Sequence, residues 1–329
     1  MKKGAGDQRT IRLVLRFALV CGALTCGVYT AVAEEGRSGH YFPGSMADIA
    51  DAVPLKPAFI VRYNQIYYSG SLSANKKPIA GVAAFGVHAT LWGEGITVLW
   101  RPPLDVGERW SYAMSATVPF LQMRVDASAV APIRGGRIIS RSSSLGYLGD
   151  LIVMPLILNY NINHSLNVNF RLGEYLPTGN YQVGRLANTG KNFITTEPTF
   201  ALMYLGPKNR READFFVGFD FNTENSTTNY QTGTQFHMEG TLAQRLPLGK
   251  GLFGIGVTSF YYQQLTGDSG SGATFGEFKG SSVGVGPLAS YVKKGKKVNI
   301  LGNLKWLPEV YTKNRLQGNI AFLKVIFRF

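Results

Sequence analysis

Cysteine is nearly absent from this sequence, and both cysteines, Cys21 and Cys26, lie close to the N-terminus. They fall inside an expected signal peptide over residues 1–33, with a basic start, an uncharged apolar stretch and the small-x-small pattern Ala31-Val32-Ala33. An uncleaved anchor helix is the alternative, but the run is shorter than the roughly 20 apolar residues that a span requires. Cleavage after Ala33 leaves no thiol for a disulfide or a metal site.

Charged residues are also scarce, at 16% of the chain, and no uninterrupted apolar run follows the leader. The longest uncharged stretch, 151–170, is broken by Pro155 and by several asparagines. Glycine, tyrosine and phenylalanine are abundant instead. A lipid-facing β-barrel wall needs few charges, its turns need glycine, and its girdles need aromatic rings. The composition therefore favours a membrane β-barrel over a soluble enzyme.

The net charge of +14 raises the question of nucleic-acid binding. Export removes the protein from nucleic acid, and the sequence contains no basic helix or stacking motif, so we expect no such partner. The four histidines, at positions 40, 88, 164 and 237, show no metal-ligand spacing. We therefore expect no metal, no cofactor and no catalytic residue.

Period-two alternation is the strongest signal in the chain. In 319–329 the odd positions from Ala321 to Phe329 are apolar, while Lys324 and Arg328 stand at even positions. Such a strand turns one face to lipid and the other to a polar lumen. The same rule predicts twelve strands, at 58–69, 82–101, 110–127, 150–160, 164–174, 195–205, 213–222, 234–244, 251–262, 281–292, 297–306 and 319–329.

The connections between these segments alternate between long and short. Outer-membrane barrels have short periplasmic turns and longer extracellular loops, and an even strand count places both termini in the periplasm. The long, outer loops are expected at 70–81, 128–149, 175–194, 223–233, 263–280 and 307–317. We therefore predict an all-β protein, a transmembrane antiparallel up-and-down barrel of about twelve strands over residues 58–329.

The register of the predicted strands assigns charged side chains of both signs to the lumen. Because the signs are balanced, we do not expect a strongly ion-selective pore. Ile60, Ile66, Ile320, Phe322 and Ile326 also point inward, which suits hydrophobic solutes or plain packing in a filled barrel. The candidate lumen-lining residues are Arg62, Arg124, Asp126, Arg171, Asp214, Asp220, His237, Glu239, Lys305 and Lys324.

Residues 34–57 precede the first predicted strand and contain a candidate short helix at 46–53. This segment is either a disordered leader or a plug that enters the lumen and buries its apolar side chains. The candidate plug residues are Tyr41, Phe42, Ile49 and Val53. At the other terminus, Phe329 ends an amphipathic strand, which resembles the signal read by the barrel-assembly machinery.

Several segments resemble the outer-membrane family named for the meta-pathway of phenol degradation. The matching motifs span nearly the whole mature chain. They include Gly39-His40-Tyr41-x-Pro43-Gly44, Tyr175-Leu176-Pro177-Thr178-Gly179, Gly184-Arg185-Leu186-Ala187-Asn188, His237-x-Glu239-Gly240-Thr241 and Lys305-Trp306-Leu307-Pro308-Glu309. The resemblance implies a channel-like transporter associated with aromatic degradation, and it carries over no catalytic residues. Region 128–148 matches none of the family motifs.

We therefore expect an outer-membrane channel, exported through the periplasm, for passive uptake of small hydrophobic or aromatic compounds. Its expected partners are these solutes, outer-membrane lipids and lipopolysaccharide, and the barrel-assembly machinery during biogenesis. Two alternatives stay open. One is an outer-membrane lipid hydrolase, which requires a Ser or Thr near a histidine on the lipid-facing rim. The other is a structural barrel with a filled lumen.

Overall fold

The fold is taken from a computed structural model, which describes residues 39–72, 85–130, 138–273 and 279–329. The expected signal peptide lies outside these residues. Among them, no helix has the length and apolar content of a membrane span.

In the described ranges, thirteen antiparallel strands make up one sheet. They are β1 (Ala58–Leu72), β2 (Phe85–Arg101), β3 (Trp110–Val130), β4 (Ile138–Leu148), β5 (Leu151–Asn161), β6 (Leu166–Leu176), β7 (Thr195–Leu205), β8 (Arg211–Asn222), β9 (Gln235–Leu248), β10 (Gly251–Gln264), β11 (Ser281–Lys293), β12 (Asn299–Lys313) and β13 (Gln317–Arg328).

Twelve of the strands close into a barrel, because β1 pairs with both β2 and β13 and β3 pairs with β2 and β5. The predicted twelve-stranded antiparallel barrel is thereby confirmed. The start of β1 and the end of β13 lie side by side, with Ile60 opposite Arg328. We call this end of the barrel the terminal end and the opposite end the loop end.

The strands form as they do because their side chains alternate between two environments. Along β8, the even positions are buried and carry Asp214, Phe216 and Asp220, while Phe215 and Phe221 are exposed. The exposed side chains around the barrel are mostly large and apolar, such as Leu242 on β9. Apolar residues outside and polar residues inside are what a lipid-facing wall with a polar lumen requires.

The extra strand, β4, falls in the predicted loop 128–149. It pairs with the loop-end half of β3, and β5 continues the same course along the other half. The break between the two strands is Gly149-Asp150, where the Gly149 amide donates to the carbonyl of Pro119 on β3 (2.9 Å). The sequence prediction missed β4 because its serine-rich segment lacks alternating apolar residues.

Two further differences concern a predicted outer loop and the candidate helix. The outer loop predicted at 307–317 is mostly strand, since β12 and β13 are joined by only 314–316. The candidate helix at 46–53 contains only one 3-10 turn, Ile49–Asp51, capped by the side chain of Asp48.

Arg124 and Asp126 do not line the lumen. Pairing places Asp126 opposite His88 and places Gln122 opposite Trp92, whose side chain is exposed on the outside. Arg124 and Asp126 form an ion pair on this outer face (3.0 Å), so their predicted lumen position was wrong. They lie nearer the loop end than Trp92. Charged groups are tolerated on the outside there, since the cost of a charge falls toward the membrane interface.

Candidate functional site

The N-terminal segment, residues 39–57, contacts inward-facing side chains from strands on opposite sides of the barrel, so it lies inside the lumen. Glu239 on β9 is one anchor. One of its carboxylate oxygens accepts from the Tyr41 hydroxyl (2.6 Å) and the Gly44 amide (3.0 Å), and the other accepts from the Met46 amide (2.9 Å). Glu239 therefore binds Tyr41, Gly44 and Met46 of the segment with one buried side chain.

The second anchor consists of two lysines on the neighbouring strands β12 and β13. Lys305 on β12 contacts the Asp48 carboxylate at 2.7 Å, and Lys324 on β13 contacts the same oxygen at 2.9 Å. Lys305 also donates to the carbonyls of Gly44 and Met46. All three charged side chains are almost fully buried. A buried charge is tolerated only when it is paired and hydrogen-bonded. Here Asp48 provides the ion pair, and the carbonyls of Gly44 and Met46 provide hydrogen bonds.

Asp51 extends this network toward β1 and β6. Its carboxylate accepts from Arg62 (2.7 Å) and Lys324 (3.2 Å). Its backbone carbonyl accepts from Arg171 (2.5 Å). The segment thus presents its carboxylates and carbonyls to cationic side chains from β1, β6, β12 and β13, and the Pro54 carbonyl accepts from Arg101 on β2 (2.7 Å).

Glu212 on β8 also holds the segment. It accepts from the Ile49 amide (2.8 Å) and forms an ion pair with Arg245. Burial alone would raise the pKa of Asp48, but the ammonium groups of Lys305 and Lys324 hold it well below its usual range. Asp48 is therefore ionised at neutral pH.

Phe42 meets a different part of the lumen. Its ring makes edge-on contacts with Tyr68 (6.2 Å between centroids) and Phe322 (5.8 Å). These rings belong to an apolar cluster on the inner wall, which we call the apolar wall. It consists of Ile66, Tyr68, Phe260, Leu307, Ile320 and Phe322.

The structure places most of the predicted lumen residues on inward-facing positions. Arg62, Arg171, Glu239, Lys305 and Lys324 come together at the segment. Asp220 and His237 come together beside Glu197, and the ring of Tyr41 stacks on His237. Asp214 is buried on β8. Of the candidate plug residues, Tyr41, Ile49 and Val53 are buried, and Phe42 is half-buried.

The sequence analysis missed four acidic residues that hold the segment in place. Asp48 and Asp51 belong to the segment, and Glu212 and Asp150 belong to the barrel. Asp48 and Asp51 carried a usable signal, because two acids interrupt an otherwise apolar stretch. Phe329 is exposed, and its amide donates to the carbonyl of Phe59 (3.1 Å). Its role in assembly stays a prediction.

One hydrogen-bond chain has the composition that a hydrolase requires. His40 lies 2.6 Å from the Thr195 hydroxyl and 2.9 Å from Asp150. However, Thr195 donates its proton to Asn222 (2.6 Å), whose own amide group is directed at two backbone carbonyls. The proton of the Thr195 hydroxyl is therefore directed at Asn222 and not at His40. Thr195 is also fully buried, away from the lipid-facing rim that the hydrolase alternative requires.

The family model described as "Putative MetA-pathway of phenol degradation" matches residues 73–325. This chain belongs to that family. The match confirms the resemblance seen in the sequence motifs. A comparison with curated proteins gives no match.

Among solved structures, the fold is similar to that of an outer-membrane channel from Pseudomonas putida. The TM-score is 0.58 at 15% identity, over 86% of this chain and 100% of that one. The β domain of a Bordetella autotransporter aligns with a TM-score of 0.39 at 12% identity, over 83% of this chain and 99% of that one. The first likeness shows that the fold is an outer-membrane barrel.

Proposed function

We propose that this protein is an outer-membrane channel for passive uptake of small hydrophobic or aromatic compounds, in which the N-terminal segment acts as the plug. Family membership supports a link to phenol degradation. Twelve strands also enclose more space than the eight that side chains alone can fill. Solutes move down their concentration gradient, and the proposal contains no catalytic step.

The contact of Phe42 with the apolar wall is the observation that carries this proposal. A phenyl ring sits edge-on against Tyr68 and Phe322 inside a lumen that also holds many charged side chains. Aromatic rings prefer such edge-to-face geometry, which adds about 0.5–1.5 kcal/mol per pair beyond area burial. An aromatic solute has the same chemistry as this side chain, so the apolar wall offers it a favourable path when Phe42 moves away.

In this proposal the terminal end of the barrel faces the periplasm. The exposed apolar belt contacts membrane lipids, and the basic residues of the loop end contact lipopolysaccharide phosphates. The lipopolysaccharide leaflet resists hydrophobic solutes, and this resistance gives the channel its physical purpose.

The test measures entry of N-phenylnaphthylamine, a hydrophobic aromatic dye, into intact cells that express the protein. Wild-type protein should raise the rate of fluorescence increase above that of cells without it. Ile320→Asn places an amide in the apolar wall and should lower the rate, whereas the matched control Ile320→Leu should preserve it. Equal rates for all three proteins, with normal heat-modifiable gel mobility, would contradict uptake along this wall.

Planar-bilayer conductance separates the channel from a structural barrel with a filled lumen. Deleting residues 39–53 removes the segment while β1 to β13 remain. A channel with a plug should then conduct more than wild type. If the deletion variant folds and neither protein conducts, the lumen is closed for other reasons and the channel proposal fails.

A further inference from the structure

Three polar side chains meet on the inner wall, away from the ion pairs that hold Asp48 and Asp51. Glu197 on β7, Asp220 on β8 and His237 on β9 come from three adjacent strands and are buried. One donor atom from each lies within 4.8 Å of the others. The sequence could not show this group, because its members become neighbours only when the strands pair.

The distances match the ligand spacing of a tetrahedral metal site. His237 Nε2 lies 3.3 Å from a Glu197 oxygen and 3.6 Å from an Asp220 oxygen. Zinc binds such nitrogen and oxygen ligands at about 2.0–2.2 Å, which places tetrahedral ligands about 3.3–3.6 Å apart. The two distances to His237 therefore need to change little when a zinc ion binds between the three atoms.

The imidazole of His237 lacks the hydrogen bonds that a buried histidine normally makes. Neither ring nitrogen has a hydrogen bond of good geometry to any residue in the described ranges, although the side chain is completely buried. Buried polar atoms almost always have a hydrogen-bond partner or a bound ligand, so the two ring nitrogens of His237 point to a ligand-binding role. Gly218, opposite His237 on β8, makes room for the ring, since a Cβ there would overlap it.

The local charge also calls for a cation. A carboxylate in a buried site is costly unless a cation compensates it. Within the described residues, Glu197 has no lysine or arginine at ion-pair distance. A metal ion bound between Glu197 and His237 would supply that cation.

The surroundings of Glu197 resemble the outer support of a metal site. Its second carboxylate oxygen accepts from the Tyr175 hydroxyl (2.7 Å), and its first accepts from Thr199 (3.2 Å). Hydrogen bonds of this kind orient metal-binding carboxylates. On the lumen side, the ring of Tyr41 stacks on His237 with centroids 3.7 Å apart, so the N-terminal segment covers the group.

We propose that Glu197, Asp220 and His237 form a binding site for one divalent transition-metal ion, with zinc as the best match. Imidazole nitrogen disfavours calcium and magnesium, which take oxygen ligands. Water or a second carboxylate oxygen fills the fourth position. The ion ties β7, β8 and β9 together beneath Tyr41. The proposal does not depend on which solute the barrel carries.

The test refolds the full barrel, without a polyhistidine tag, in detergent containing Zn²⁺, because a buried site fills most readily during folding. After desalting, mass spectrometry should find about one zinc ion per chain, as expected for a single closed site. His237→Ala should reduce zinc to background. The matched control His164→Ala, in the turn between β5 and β6, should retain it. Heat-modifiable gel mobility checks that each variant has folded.

A second variant keeps the test decisive if His237→Ala does not fold. Tyr175→Phe removes one supporting hydrogen bond and should weaken zinc binding about 10–100-fold, the usual cost of losing such a contact. Refolding with Co²⁺ gives an independent readout, since tetrahedral cobalt absorbs strongly in the visible range. Folded wild-type protein without zinc, or a His237→Ala protein with full zinc content, overturns the proposal and leaves His237 as a buried partner of two acids.

Discussion

The N-terminal segment meets two unlike surfaces inside the same lumen. Its residues 46–51 are held by ion pairs and charge-assisted hydrogen bonds to β1, β6, β8, β9, β12 and β13. Phe42, only a few residues earlier, makes apolar contacts with Tyr68 and Phe322. The first set of contacts is directional and depends on particular partners, whereas the second depends mainly on apolar area.

This difference shows how the charged part of the segment can stay bound while the Phe42 side chain is exchanged for a solute. The charged contacts set the position of the chain, since moving Asp48 would leave Lys305 buried without its ion-pair partner and Lys324 with only Asp51. An aromatic solute could replace Phe42 without breaking any of those ion pairs. Substitutions that remove one kind of contact at a time can separate the two surfaces, and release of the segment can be followed by conductance, by dye uptake or by amide hydrogen exchange.

The largest effect is expected at Asp48. Asp48→Asn leaves the ammonium group of Lys305 buried without its ion-pair partner and leaves Lys324 with Asp51 alone. Breaking a buried pair from one side costs about 3–5 kcal/mol. The segment should detach, conductance should approach that of the 39–53 deletion, and the segment amides should exchange faster. Asp105→Asn, in the exposed connection between β2 and β3, is the matched control and should change neither quantity. Wild-type conductance in Asp48→Asn would show that the ion pairs do not hold the segment.

Glu239→Gln should have the second-largest effect. The carboxylate accepts three hydrogen bonds from the segment, and an amide offers only one oxygen to the same donors. Hydrogen bonds to a charged group contribute about 1.5–3 kcal/mol, so the Gly44 and Met46 amides should exchange faster. Glu224→Gln, in the β8–β9 connection, controls for a change of charge alone. If exchange is unchanged, another group holds these amides.

Phe42→Ala tests the apolar side of the comparison. Phe42 is half-buried, so we expect a cost of about 2 kcal/mol, roughly half that of a fully buried ring. Dye uptake should increase because the apolar wall is vacated, while exchange of the Ile49 amide should change little, since its contact with Glu212 remains. Phe42→Leu preserves most of the area and serves as the control. Equal acceleration of exchange along the whole segment would show that the two surfaces act as one.

The fold was predictable because lipid and lumen impose opposite requirements on alternate residues. In β8 and β13 this requirement is strict, and the sequence placed their two faces correctly. It failed for β3, where Arg124 and Asp126 lie outside near the loop end, where an outward charge costs little. Near that end, alternation no longer separates the two faces, and a register based on charge alone becomes ambiguous by one residue.

The segment itself shows the other limit of prediction. Its apolar residues suggested burial, but the partners of Asp48 and Asp51 could not be inferred, since Lys305 and Lys324 are more than two hundred residues away in sequence. The grouping of Glu197, Asp220 and His237 was hidden for the same reason. Local patterns predict which face a residue occupies, whereas strand order and register decide which residues meet on that face.

Acid should release the segment only weakly, and this is the smallest expected effect. The pKa of Asp48 is lowered in the docked state, despite burial, by Lys305 and Lys324, whereas a free aspartate has a pKa of about 3.9. A group with a lowered pKa stabilises docking fully above its free value and loses that contribution as the pH falls toward the docked value. Conductance should therefore stay constant from about pH 7 to 5 and rise only below about pH 4. Asp48→Asn should show no acid-induced step below pH 4, because it cannot be protonated there. A rise between pH 7 and 5 in the wild type would assign the release to a different group and remove Asp48 from the acid response.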